Sequence, residues 1–269
     1  MKSELYTARK LLVIRIICGI LFCGILATSM LMGFLPKLLE IQEVQVMDPQ
    51  AQQMLQMLDP KLEIFQLQML DITGSSQSGG LVISQIAAVV LGVILVAGNF
   101  RHGAVVWKVL QGRLRWGLNI LGATALCTAS IAALSCFGTL GVTGVVTSLY
   151  GVDWNVQVGE LLLVWVRGIL SLTLLALACA GVTLATRSGG LAAAVIGGVL
   201  GAEVIIGTIM TLAHYDAKYL SWMPSHAIAA AVGVGNDLSY GIGAGLLCCI
   251  GWALVACLVG CLRLRTYNL

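Results

Sequence analysis

The chain has 269 residues, 59% of them hydrophobic and 10% charged, with a net charge of +3 and a mean hydropathy of +0.97. Soluble domains run at about a quarter charged, so this composition excludes an ordinary soluble enzyme and gives no footing for a nucleic-acid partner. It points to an all-α, polytopic membrane protein forming one transmembrane domain over residues 1–269.

The opening MKSELYTARK has the charge of a signal-peptide n-region. The apolar run after it is longer than an h-region and no A-x-A site follows, so the first span is expected to be retained. About 20 apolar residues cross a bilayer. Six segments qualify: Leu11–Leu35, Leu81–Gly98, Trp116–Val146, Glu160–Thr186, Gly189–Ala213 and Tyr240–Leu262. The third is longer than a crossing needs and is expected to tilt or project. All nine cysteines lie inside these runs, with no C-x-x-C among them, and read as small packing residues rather than metal ligands.

Between the spans, charge is unevenly shared. Residues 1–10, a basic elbow, carry Lys2, Arg9 and Lys10, and Arg15 follows. The connection 99–115 has four Lys/Arg and no acid, Arg187 marks the turn after the fourth span, and Arg263 and Arg265 follow the sixth. The first loop on the other side, 36–80, holds six acids against two lysines. The positive-inside rule places both termini in the cytoplasm. Within that first outer loop, Asp48 as cap, Pro49 at the first helical position and the stripe Met54, Leu55, Leu58 predict a helix. The last outer loop, 214–239, reads as a short interfacial or re-entrant helix anchored by Tyr219 and Trp222.

On a helical wheel from Arg101 to Trp116, Arg101, Lys108 and Arg115 share one side with Gln111 near them; Val106, Trp107, Leu110 and Leu114 take the other. Such an amphipathic segment either lies on anionic headgroups or docks on the bundle and offers cations to a cytoplasmic partner. The segment resembles the coupling region between the second and third spans of ABC-2 type ABC-transporter permeases. The stretches Phe100-Arg101-His102-Gly103-Ala104 and Gln111-Gly112-Arg113 carry that likeness, with Asn99 where the family has an acid and Ala104 where it has Thr. The overall plan is similar too: a basic elbow, an outer domain after the first span, Gly/Ala-rich later spans, a partly helical outer segment before the last span and a basic tail.

The resemblance implies the permease subunit of an ATP-driven exporter in the cell membrane. Its ATPase-coupling residues would be Arg101, His102, Lys108, Gln111, Arg113 and Arg115. The chain has no G-K-[ST] and hence no P-loop, so ATP and Mg would be held by a separate cytoplasmic ATPase subunit, with no cofactor on this chain. A second permease chain, identical or related, would complete the pathway within the membrane lipids. By analogy the cargo would be an amphiphilic or hydrophobic peptide, a drug-like compound or a lipid. A different class of reading is a non-transporting scaffold or sensor that binds a partner through the acidic outer loop.

Two charged residues lie well inside spans, Arg167 and Glu203. At similar depth, they are expected to meet across spans four and five, as a structural pin or as lining of the pathway. The G-x-x-x-G pairs Gly197–Gly201 and Gly241–Gly245 are expected packing sites. No G-x-S-G turn lies in a span, no H-E-x-x-H occurs, and none of the three histidines is deep in a span, so catalysis is not expected.

Overall fold

The computed structural model describes residues 12–41, 59, 61–74, 82–101, 112–213, 222–234 and 241–266. Among them are eight helices and no strand: α1 (Leu12–Ile41), α2 (Glu63–Leu70), α3 (Ile83–Arg101), α4 (Arg113–Tyr150), α5 (Val158–Thr186), α6 (Gly189–Leu212), α7 (Pro224–Val232) and α8 (Ile242–Arg265). Six of these, α1, α3, α4, α5, α6 and α8, are long and apolar enough to cross a membrane, as the hydrophobic runs predict. The helix expected at Asp48–Pro60, with Met54, Leu55 and Leu58, falls almost wholly outside the described residues. Among the described residues of this connection is a further helix, α2.

Neighbouring spans alternate in direction. The start of α4 and the ends of α3, α5 and α8 meet in one cluster of Val96, Trp116, Leu184 and Leu264, with Phe100 edge-on to Trp116 at 5.8 Å. At this end Arg113 donates to the Arg265 carbonyl at 2.9 Å and Arg187 to the Arg263 carbonyl at 2.6 Å. These guanidiniums satisfy carbonyls that the last turn of α8 leaves open. Arg187 itself is left-handed (φ 59) and closes α5, after which Ser188 starts α6 at once.

The other end is closed by α2. Phe65 and Met69 pack on Val146 of α4, and Leu70 packs on Val156 and Leu161. Gln66, fully buried, donates to the Asp153 carbonyl at 3.2 Å and accepts from the Asn155 amide at 3.1 Å, so one side chain fastens α2 to the α4–α5 turn. Gly151, left-handed at φ 61, ends α4 with Val152 N–H reaching back to the Thr147 carbonyl at 3.0 Å. At 38 residues, α4 is roughly 57 Å long and outruns a hydrocarbon core of about 30 Å. Its buried Thr124, Thr128, Thr143 and Thr147 each donate to the carbonyl four residues back, so a polar stripe is buried without needing partners on other helices.

At the centre stands α5, packed against α3, α4, α7 and α8. Close approach there depends on glycine. A Cβ on Gly92 would strike the Ala176 carbonyl, one on Gly181 would lie 2.5 Å from the Ala256 backbone, and one on Gly260 would lie 2.5 Å from the Gly181 carbonyl. Between lipid-embedded helices, where hydrophobic drive is weak, such backbone contact is a main source of cohesion. Of the expected packing glycines, Gly245 lies against a neighbouring helix: a Cβ there would lie 2.5 Å from the Ala231 amide nitrogen of α7. Gly197, Gly201 and Gly241 have nothing among the described residues within 4 Å of such a Cβ, so no close helix approach depends on them there.

Candidate functional site

Between α6 and α8 lies α7, a nine-residue helix that inserts among α5, α6 and α8 rather than lying over them. Pro224 begins it with φ already set for a helix, and Gly233, at φ 77, ends it. Ala227, Ile228 and Ala231 are buried against Leu174 and Leu175 of α5 and Leu246 and Cys249 of α8. The Trp222 carbonyl accepts from Trp252 Nε1 at 2.9 Å, pinning the approach to α7 onto α8.

Met223 precedes the helix and has no side chain able to cap it. Glu203 of α6 supplies that cap from outside. Its Oε1 accepts from the Ser225 N–H at 3.1 Å and the His226 N–H at 3.2 Å, and lies 2.8 Å from His226 Nδ1; Oε2 lies 3.3 Å from the Ser225 nitrogen. The carboxylate is 2% exposed and the imidazole 28%. An anion at this position also meets the positive end of the α7 dipole.

Arg167 stands at the opposite end. Its Nη1 is 3.8 Å from the place a Cβ on Gly233 would take, near the C-terminal end of α7, where a cation is favoured. The expected Arg167–Glu203 contact is therefore corrected: Arg167 lies near one end of this short helix and Glu203 caps the other, where its carboxylate is 2.8 Å from His226 Nδ1. Equal depth in the sequence did not reveal that a third element stands between them. His226, not deep in any span by its sequence, is the neighbour of Glu203 that sequence reasoning missed. The available signal was that a membrane-buried acid needs donors and a Pro-Ser-His helix start offers them.

Below α7 an apolar cavity of about 370 Å³ opens between α5, α6 and α8. It runs along α5 from Ser171 to Thr186 and is walled by Val199 of α6 and Trp252 and Val259 of α8. Ser171 is buried with no hydrogen-bond partner for its hydroxyl, whereas Thr173, Thr183 and Thr186 on the same helix donate to carbonyls four residues back.

The predicted coupling residues are only partly within the described chain. His102, Lys108 and Gln111 lie outside it; Arg101 is the last residue of α3. Gly112, at φ 116, breaks the chain direction before α4, so Arg113 and Arg115 belong to that span. One continuous wheel from Arg101 to Trp116 does not hold across this break. Among the described residues no His, Cys, Asp and Glu gather in threes to hold a metal ion. No family model matches the sequence, and no curated protein is similar to it at a significant level.

Proposed function

We propose that this chain is the membrane-spanning permease subunit of an ATP-driven exporter of the ABC-2 type, working with a separate ATPase subunit and a second permease chain. The observation that carries this reading is the convergence of basic residues at one end of a six-span bundle whose other end is closed by α2 and α7. Arg113, at the exit of the basic connection, is bonded to the Arg265 carbonyl of the last span, and Arg187 to the Arg263 carbonyl beside it. A push on the 102–111 connection by a cytoplasmic ATPase would be passed through these bonds to α4, α5 and α8 together. The inserted α7 sits between the fifth and sixth spans, where the resemblance leads one to expect a partly helical outer segment. Tied to α6 through Glu203 and packed on α5 and α8, it would follow any relative movement of these three helices. The cargo expected from the apolar interior is amphiphilic or hydrophobic.

Mild-detergent purification from native membranes, followed by photolabelling with azido-ATP, tests the proposal. A nucleotide-labelled polypeptide should co-purify, and the triple variant Arg101→Glu, Lys108→Glu, Arg115→Glu should lose it while keeping the wild-type melting temperature. Retention of the labelled subunit by the triple variant, or purification of the chain alone in a form that functions without nucleotide, contradicts the proposal.

A further inference from the structure

We infer that the cavity between α5, α6 and α8 is a binding site for one acyl chain of an anionic phospholipid, taken laterally from the leaflet at the arginine end of the bundle. This inference rests on the six-span architecture and not on coupling to an ATPase.

The walls define what fits. Ser171 to Thr186 covers roughly 22 Å of helix, against about 15 Å of hydrocarbon per leaflet. A cavity of about 370 Å³ in this elongated form has room for one chain and not for a transmembrane helix. Every lining residue named above lies on α7 or in a helix long and apolar enough to cross a membrane, so an outward opening on this face would meet hydrocarbon. The opening faces outward: Val199, Trp252, Val255 and Val259 at its rim are all well exposed. α7 closes the far end with Pro224 and Ile228, which stops the chain there.

Charge selects the head group. Val259 lines the groove and Arg263, one turn on, shares its face of α8; the Arg263 side chain is exposed. Arg187 lies next to Thr186, the last groove residue of α5, with its guanidinium on the Arg263 carbonyl. No acidic residue occurs among the described residues at this end, whereas Glu63, Asp71, Asp153, Glu160 and Glu203 all lie towards the α7 end. A lipid whose tail follows the groove therefore sets its phosphate beside two guanidiniums.

The test uses the full chain in bilayers of phosphatidylcholine doped with either phosphatidylglycerol or phosphatidylcholine carrying brominated acyl chains. Quenching of the Trp252 emission, isolated by difference from Trp252→Phe, reports occupancy. Brominated phosphatidylglycerol should quench at a mole fraction about fivefold lower than brominated phosphatidylcholine, the preference expected for roughly one arginine near a membrane surface. Arg263→Gln, an exposed change that leaves packing intact, should remove most of that preference. Ala178→Phe, which fills the groove, should abolish the low-concentration phase with either lipid. Equal quenching by the two head groups, or an Ala178→Phe response like wild type, overturns the site. Absence of quenching by either lipid also overturns it and would mean that a second copy covers the groove.

Discussion

Glu203 does for α7 what the residue ahead of that helix cannot. Its carboxylate takes two backbone N–H groups and the His226 ring in a setting from which water is excluded. Removing such an acceptor leaves buried donors unsatisfied, on the order of 2–3 kcal/mol. Glu203→Ala should therefore lower the melting temperature in detergent by roughly 5–10 °C. Glu203→Gln keeps an oxygen for the Ser225 amide and should recover about half of the loss. An unchanged melting temperature in Glu203→Ala would remove the capping role. The exchange Arg167→Glu with Glu203→Arg gives a sharper outcome. If the two residues met, the double variant would restore the contact. Because they stand at opposite ends of α7, each reversed charge opposes the dipole, and the double variant should be less stable than either single one. Little of this was legible in the sequence. Depth along a span can be counted from residue numbers, but the insertion of α7 between Arg167 and Glu203 is a tertiary fact. Hydropathy carries no trace of it.

Among the helices, the lesson concerns glycine. The pair Gly197–Gly201 has the spacing associated with close helix contact, yet among the described residues nothing lies within 4 Å of a Cβ at either position. The contacts that hold α5 to α3 and α8 run through Gly92, Gly181 and Gly260, none of which has a glycine four residues away. Ala256, one turn from Gly260, supplies the other small residue at that crossing. Spacing describes one helix, whereas a crossing needs small residues on two; the second half of that condition is not written locally. Gly181→Val should separate α5 from α8 and lower both the monodisperse fraction on size exclusion and the melting temperature. Gly197→Val should leave both readouts of the monomer unchanged. If a second permease chain docks on α6, Gly197→Val should weaken that association alone. The reverse ranking of the two variants would contradict the packing described for α5 and α8. The element boundaries themselves were easier to read. Six apolar runs became six helices, and a Pro-initiated, Gly-terminated segment became α7. The helix α2 was not legible because it is held by burial of Phe65, Gln66 and Met69 under the α4–α5 turn, not by a local cap.

For the whole molecule, sidedness decides the account. The arginines at the start of α4 and the ends of α5 and α8 gather at one end, and α2, the 152–157 turn and α7 at the other. The proposed function needs the arginine end in the cytoplasm, where an ATPase can reach the 102–111 connection, and the α7 end outside. All nine native cysteines lie within spans, so a new cysteine in a loop can be read with a membrane-impermeant maleimide in intact cells. The most direct measurement compares Lys108→Cys with Asp153→Cys, the latter at an exposed position on the α4–α5 turn. Asp153→Cys should label in intact cells and Lys108→Cys only after permeabilisation. Labelling of Lys108→Cys from outside, with Asp153→Cys protected, would invert the bundle and contradict the account.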